Sequence, residues 1–213
     1  MKGTVMHMHI ETKDLLNSIM ESFDRISYVK SSDIPNIDLY MDQVTTFMEK
    51  NFRKGTRYPE EDKVMTKTMI NNYAKNNLLP PPLKKKYSKE HILILIFIYY
   101  YKGILSISDI QALLGPVTGR FFGKDEGFDI QSVYDEVFQI GYGQIEALKK
   151  HVENEYNIAM DTFGDAPEDS RDFLKLFSFI CFLSFDVYMK KQLIEKLIDV
   201  VRNDEAGGKK EDK

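Results

Sequence analysis

The 213 residues are 43% hydrophobic and 29% charged with a formal net charge of −4, a balance that excludes a disordered or fibrous chain and fits one compact domain or two small ones. The single cysteine, Cys181, excludes an intramolecular disulfide and a thiolate metal cage within one chain. The longest uncharged apolar runs, Ile92–Tyr101 and Leu176–Phe185, reach ten residues, short of the roughly 18 that suggest a membrane helix. No basic region followed by an apolar core opens the chain, so a reducing cytoplasm is expected, with no membrane partner.

In chain order, Leu15, Leu16, Ile19, Met20, Phe23 and Ile26 predict an amphipathic helix from Thr12 to Tyr28. Ser31-Ser32-Asp33-Ile34-Pro35 breaks it, and Leu39, Met41, Val44, Phe47, Met48 and Phe52 predict a second helix over Asp38–Phe52. After the link RKGTRYPEEDKVM, Thr66 is placed to cap a short helix in which Met69, Ile70 and Tyr73 share one face. The other face carries Lys67, Asn71, Asn72 and Lys75. Lysine is a point-charge partner for phosphate, and asparagine can pair bidentately with an adenine edge. Pro80-Pro81-Pro82 then forces an extended path that delivers Lys84, Lys85, Lys86 and Tyr87 as a compact cationic tip.

Between Lys63 and Lys102 eight lysines stand against one acid, Glu90, a local +7 that leaves −11 on the other residues. A basic island in an acidic chain is the distribution expected when one surface meets a polyanion and the rest stays soluble. The candidate DNA-binding residues are therefore Thr66, Lys67, Asn71, Asn72, Lys75, Lys84, Lys85, Lys86 and Tyr87. A solvated surface turn is the plainer reading of the three lysines taken alone.

Ile70–Pro80, Lys85-Lys86-Tyr87 and Ser106–Leu114 together resemble MerR-type winged helix-turn-helix regulators. Ile70 takes the apolar place of the recognition helix, Asn71 the place usually held by arginine, Tyr73 the tyrosine and Lys75 a second basic place. Lys85 and Tyr87 take the wing. A closer resemblance, over Ile34 to Leu114, is to an uncharacterised bacterial family of unknown function with a MerR-like domain, on the strings Leu39–Val44 and Thr66–Lys75. Asn77 stands where the MerR pattern has glycine, and the link 53–65 is far longer than a tight helix-turn-helix turn. The resemblance implies a transcriptional regulator that binds double-stranded DNA as a homodimer.

Ser88 predicts the start of a helix over Lys89–Lys102 that is apolar nearly all round and therefore central, and Gly103 its end. Ser106 with Asp109 caps a short helix, Ile107–Leu114, and the glycines and proline of 115–127 mark a boundary. From Ile104 onward 21 acids face 13 bases. Asp129 caps a helix to about Met160 that Gly141 and Gly143 divide, and Arg171–Arg202 forms a last long helix before a disordered tail. Phe173, Phe177, Phe179, Phe182, Phe185 and Tyr188 are expected in a core, within the C-terminal domain or across a two-fold axis, with room for a small apolar ligand.

The expected architecture is all-α: an N-terminal helix (1–33), a MerR-like winged helix-turn-helix (34–115), a helical dimerisation or effector domain (128–203) and a tail (204–213). His7 with His9, and His151 with Glu155, fall short of the ligand number a metal site needs, and no nucleophile–His–acid set or phosphate loop can be assembled. No cofactor and no enzyme activity are expected. A protein-interaction module on a winged scaffold is the alternative to DNA binding.

Overall fold

The structure, a computed structural model of the chain, describes residues 12–24, 28–124 and 127–211. It is mostly helical, and among the described residues one two-stranded sheet is present. No described helix is long and apolar enough to cross a membrane. Two compact units emerge, neither of them a single stretch of chain.

The first unit joins α1 (Thr12–Asp24) to Ile140–Gln192. Its main helices are α7 (Ile145–Met160) and the first part of α8 (Glu168–Glu211). Leu16, Val152, Tyr156, Ala159 and Phe179 form its core, with the Tyr156 and Phe179 rings edge-on at 5.5 Å. The predicted helix to Met160 is divided as its glycines imply: α6 covers Ile130–Gly143 and α7 begins after Gln144.

The second unit holds Tyr28–Gln139 and α8 from Leu193 onward. It is built around α4 (Lys89–Tyr101), whose eight consecutive residues from His91 to Ile98 are buried. A helix apolar all round has no face for water, so the other elements must wrap it. Those elements are β1 (Leu39–Tyr40), α2 (Met41–Phe52), α3 (Lys67–Lys75), β2 (Lys86–Tyr87), α5 (Ile107–Phe121) and α6. The Phe97, Tyr134 and Phe138 rings pack together, Tyr134 with Phe138 at 4.3 Å and Phe97 with Tyr134 at 5.6 Å. Within this core the Tyr134 hydroxyl donates to the Val29 carbonyl at 2.5 Å. Tyr134→Phe leaves that carbonyl unpaired, and urea unfolding should register a loss of about 1–3 kcal/mol.

Three expectations need correction. The helix expected over Ile107–Leu114 continues to Phe121, through Pro116. An interior proline costs a helix about 3 kcal/mol, yet Ala112, Leu113, Val117 and Phe121 all pack against the core, and that burial holds the turn together. The last helix extends through Glu211, well past Arg202 and into the segment expected to be a disordered tail. Within one chain the aromatic cluster is only in part a core: Phe179 is 8% exposed and Phe182 packs beside it, but Phe173, Phe177, Phe185 and Tyr188 are 50–65% exposed. They lie on helix faces that the first unit does not cover.

Candidate nucleic-acid interface

α3 starts where Thr66 stops the preceding extended chain, its hydroxyl accepting from the Met69 amide at 3.2 Å. Ile70 and Tyr73 are buried on one side. Lys67, Thr68, Asn71, Asn72 and Lys75 are exposed, and at 100° per residue they occupy one continuous arc on the other. Thr68 was missed by sequence reasoning. It falls in the middle of this arc, and a wheel drawn from Ile70 and Tyr73 would have found it.

The helix closes on Asn77, whose φ of 55° is left-handed. The Asn77 amide donates to the Ala74 carbonyl at 3.2 Å and the Leu78 amide to the Tyr73 carbonyl at 2.9 Å, the paired bonds of a Schellman cap. Asparagine tolerates that conformation better than most residues, so it does here what glycine would do. Leu78 and Leu79 are then buried, which fixes the exit of the chain.

From there the prolines lead to a tight hairpin. Leu83 bridges Lys86, the Lys86 amide donating to the Leu83 carbonyl at 2.9 Å, with Lys84 and Lys85 as a two-residue loop. Their φ angles are 49° and 65°, the signature of a type I′ turn, which ordinarily carries Asn-Gly. Both lysines are exposed. Behind the tip, β2 pairs antiparallel with β1, Tyr40 opposite Lys86 and Leu39 opposite Tyr87. The Lys86 ammonium sits 5.2 Å over the Tyr40 ring.

Besides Thr66, which caps α3, two of the nine expected residues have other duties. Tyr87 is 3% exposed with its ring edge-on to His91 at 5.5 Å, so it anchors the base of the hairpin in the core and does not face solvent. Alternation along the strand explains this: Lys86 points out, so Tyr87 points in. Lys67 is ion-paired with Asp42 of α2, which partly neutralises its charge. The long link 53–65 is ordered and pinned. Glu49 accepts the Val64 amide at 3.1 Å and the Arg53 Nε at 3.0 Å, Arg53 reaches the Pro59 carbonyl at 3.0 Å, and Lys102 donates to the Val64 carbonyl at 2.5 Å. With Val64 and Met65 buried, α3 is held from its N-terminal side by an anchored loop.

His91 lies beneath the hairpin, its Nδ1 accepting from the Ser88 amide at 3.0 Å. Burial lowers its pKa from the ordinary 6.5, with the Pro81 and Pro80 carbonyls and the Asp38 charge pulling the other way. The folded state therefore favours the neutral ring. Stability from this group is present above about pH 6.5 and drains away as the pH falls from there through the lowered folded value. Urea midpoints at pH 7.5 and 5.5 should differ accordingly, and His91→Gln, which retains the reach back to the cap amide, should shrink the difference.

The remaining candidates do not assemble into a site. His151 Nε2 lies 3.5 Å from Glu155 on the surface of α7, an i, i+4 pair. Among the described residues no group of three or more His, Cys, Asp or Glu side chains is placed to hold a metal ion. His7 and His9 lie outside the described residues.

Residues 29–137 match a family described as Domain of unknown function (DUF1836). That span nearly coincides with Tyr28–Gln139, the larger segment of the second unit, and contains α3, the lysine turn and the helix they are built on. No curated protein and no solved structure matches the chain.

Proposed function

We propose that this chain, which belongs to the DUF1836 family, is a sequence-specific duplex-DNA-binding protein of the winged helix-turn-helix kind and a transcriptional regulator. In this reading the exposed arc of α3 enters the major groove, Asn71 reads a base edge, and the Leu83–Lys86 hairpin is the wing on the backbone. Lys75, Lys84 and Lys85 meet phosphates. Thr68 and Asn72 lie to one side of Asn71 on the same arc.

The observation that carries the reading is the pair of left-handed lysines at the hairpin tip. A non-glycine residue in that region costs on the order of 1 kcal/mol, and such strain gathers at functional sites. Asparagine and glycine would make the same turn with less strain, but they carry no charge. Two lysines there hold two ammonium groups on the least flexible loop a hairpin offers.

Fluorescence anisotropy of the chain against a random duplex pool at several salt concentrations tests the reading. Binding with a log–log salt slope of several units is expected, because each neutralised phosphate contributes about −0.9. Against a selected duplex, Asn71→Ala should lose discrimination worth roughly 1–3 kcal/mol while non-specific affinity changes little. An equal loss on every sequence would remove Asn71 from the reading role. Leu83, 73% exposed beside the lysines, favours the rival reading of a protein-interaction surface. Binding absent at low salt would select that rival.

A further inference from the structure

In the second unit α5 leaves a groove open beside the end of α3. Its volume is about 590 Å³, within the range of small-molecule sites. Small residues make the floor. Ser108, Ala112, Gly115 and Gly119 share one face of α5 and span roughly 16 Å, at about 1.5 Å per residue. A Cβ added to either glycine meets nothing within 4 Å, so the groove reaches down to the helix backbone there.

The walls carry hydrogen-bonding groups. At about 100° per residue, Gln111 and Thr118 fall at one edge of the floor and Asp109 at the opposite edge. There Asp109 holds Arg202 of α8, whose Nη2 lies 2.7 Å from the carboxylate. Asn77, the left-handed residue that closes α3, lines the groove as well. The side-chain amides of Asn77 and Gln111 make no hydrogen bond to other described residues, so their donors and acceptors are available to a ligand. Among the described residues the lining holds no carboxylate and no large apolar side chain.

The geometry points to a nucleoside site, taking a base with acceptors along one edge and donors along another, as guanosine has. Elimination is the first step. With no acid in the lining a cationic amine finds no counter-charge, and with no large apolar wall a lipid has nothing to bury against. Asp109 already balances the charge of Arg202, with Asp199 3.7 Å from its Nη1, so phosphate capture is not what the groove offers. What remains is a flat, neutral molecule. A planar ring can lie on Gly115 and Gly119, where no side chain lifts it from the helix. Ion pairing uses only some of the guanidinium N–H groups and fixes its plane. The other N–H groups suit the O6 and N7 acceptors of guanine, and the carbonyls of Gln111 and Asn77 suit its ring and exocyclic N–H donors. The inference concerns free nucleoside, so it goes beyond duplex recognition and stands without it.

Isothermal titration calorimetry of the full chain without DNA tests the site, with guanosine, adenosine and ribose as probes. Guanosine is expected to saturate one site per chain. Adenosine should bind about tenfold more weakly, because its exocyclic amine meets the guanidinium donors, and ribose not at all. Gly119→Leu fills the groove and should abolish binding with helical circular dichroism undiminished, since leucine is a better helix former than glycine. Gln111→Ala and Asn77→Gly should each weaken guanosine about fivefold, and the glycine keeps the left-handed cap of α3. Guanosine that fails to bind at millimolar concentration, leaving the groove to a peptide or to a helix of another protein, overturns the inference. So does adenosine or ribose binding as well as guanosine, or guanosine binding that Gly119→Leu and Gln111→Ala leave unchanged. Guanosine monophosphate that binds more tightly than guanosine and weakens with salt shows phosphate capture, and overturns it too.

Discussion

A chain carrying Lys84→Asn together with Lys85→Gly should be more stable than the parent and a weaker DNA binder. The gain follows from backbone strain: φ angles of 49° and 65° disfavour lysine and suit the Asn-Gly pair, so relief should raise stability by about 1–2 kcal/mol in urea. The loss follows from charge. If both ammonium groups meet phosphates, the log–log salt slope should shrink by about 1.8, at roughly 0.9 for each lost contact. Opposite signs in the two measurements separate a wing that grips from a loop that merely connects. A variant that is more stable and binds duplex unchanged would leave the strain without the function assigned to it.

The second large effect is on the core. Leu95 is fully buried in α4, at 0% exposure, with buried neighbours before and after it. Leu95→Ala removes those contacts and leaves a cavity, at a cost of about 3–4 kcal/mol. Set against the 5–15 kcal/mol that holds a typical domain together, this loss should lower the urea midpoint of the unit that carries α3 and the hairpin. Because α4 supports both, duplex binding should fall with the folded fraction and recover fully at low temperature and low urea. Loss of binding without loss of structure would show that α4 does more than support.

Much of the larger unit was legible because it rests on local signals. Thr66, Ser88, Ser106 and Asp129 each precede a helix as cap residues should, and Asp129 takes the Ser132 amide at 2.8 Å. Asn77 takes the left-handed cap that its place after α3 implied. The DUF1836 match agrees with the expectation, from Leu39–Val44 and Thr66–Lys75, of an uncharacterised family of unknown function. What escaped were contacts set by tertiary structure. Nothing in the string Leu83–Tyr87 signals a type I′ turn, since the residues that usually mark one are absent, and only pairing of β2 with β1 imposes it. Tyr87 looked like part of a cationic tip because the sequence does not say which strand face meets the core. Asp42 and Lys67 are 25 positions apart and pair only once α2 and α3 are in place.

The aromatic run on α8 was legible only in part, for a related reason. Six aromatic residues between Phe173 and Tyr188 invite a single core, but their angular positions spread them over several faces of one helix. Phe179 faces its own unit, and Phe173, Phe177, Phe185 and Tyr188 do not. Composition told how much apolar surface had to be covered, and the helical spacing alone told how it was divided.

Amide hydrogen exchange of the full chain, with and without a duplex it binds, tests the central claim most directly. Slowed exchange in Lys67–Lys75 and across the Leu83–Lys86 turn, with Ile145–Met160 unchanged, is the predicted result. Duplex-dependent protection confined to Ile145–Met160 or to Glu168–Gln192, with the α3 arc and the lysine turn unaffected, would contradict it.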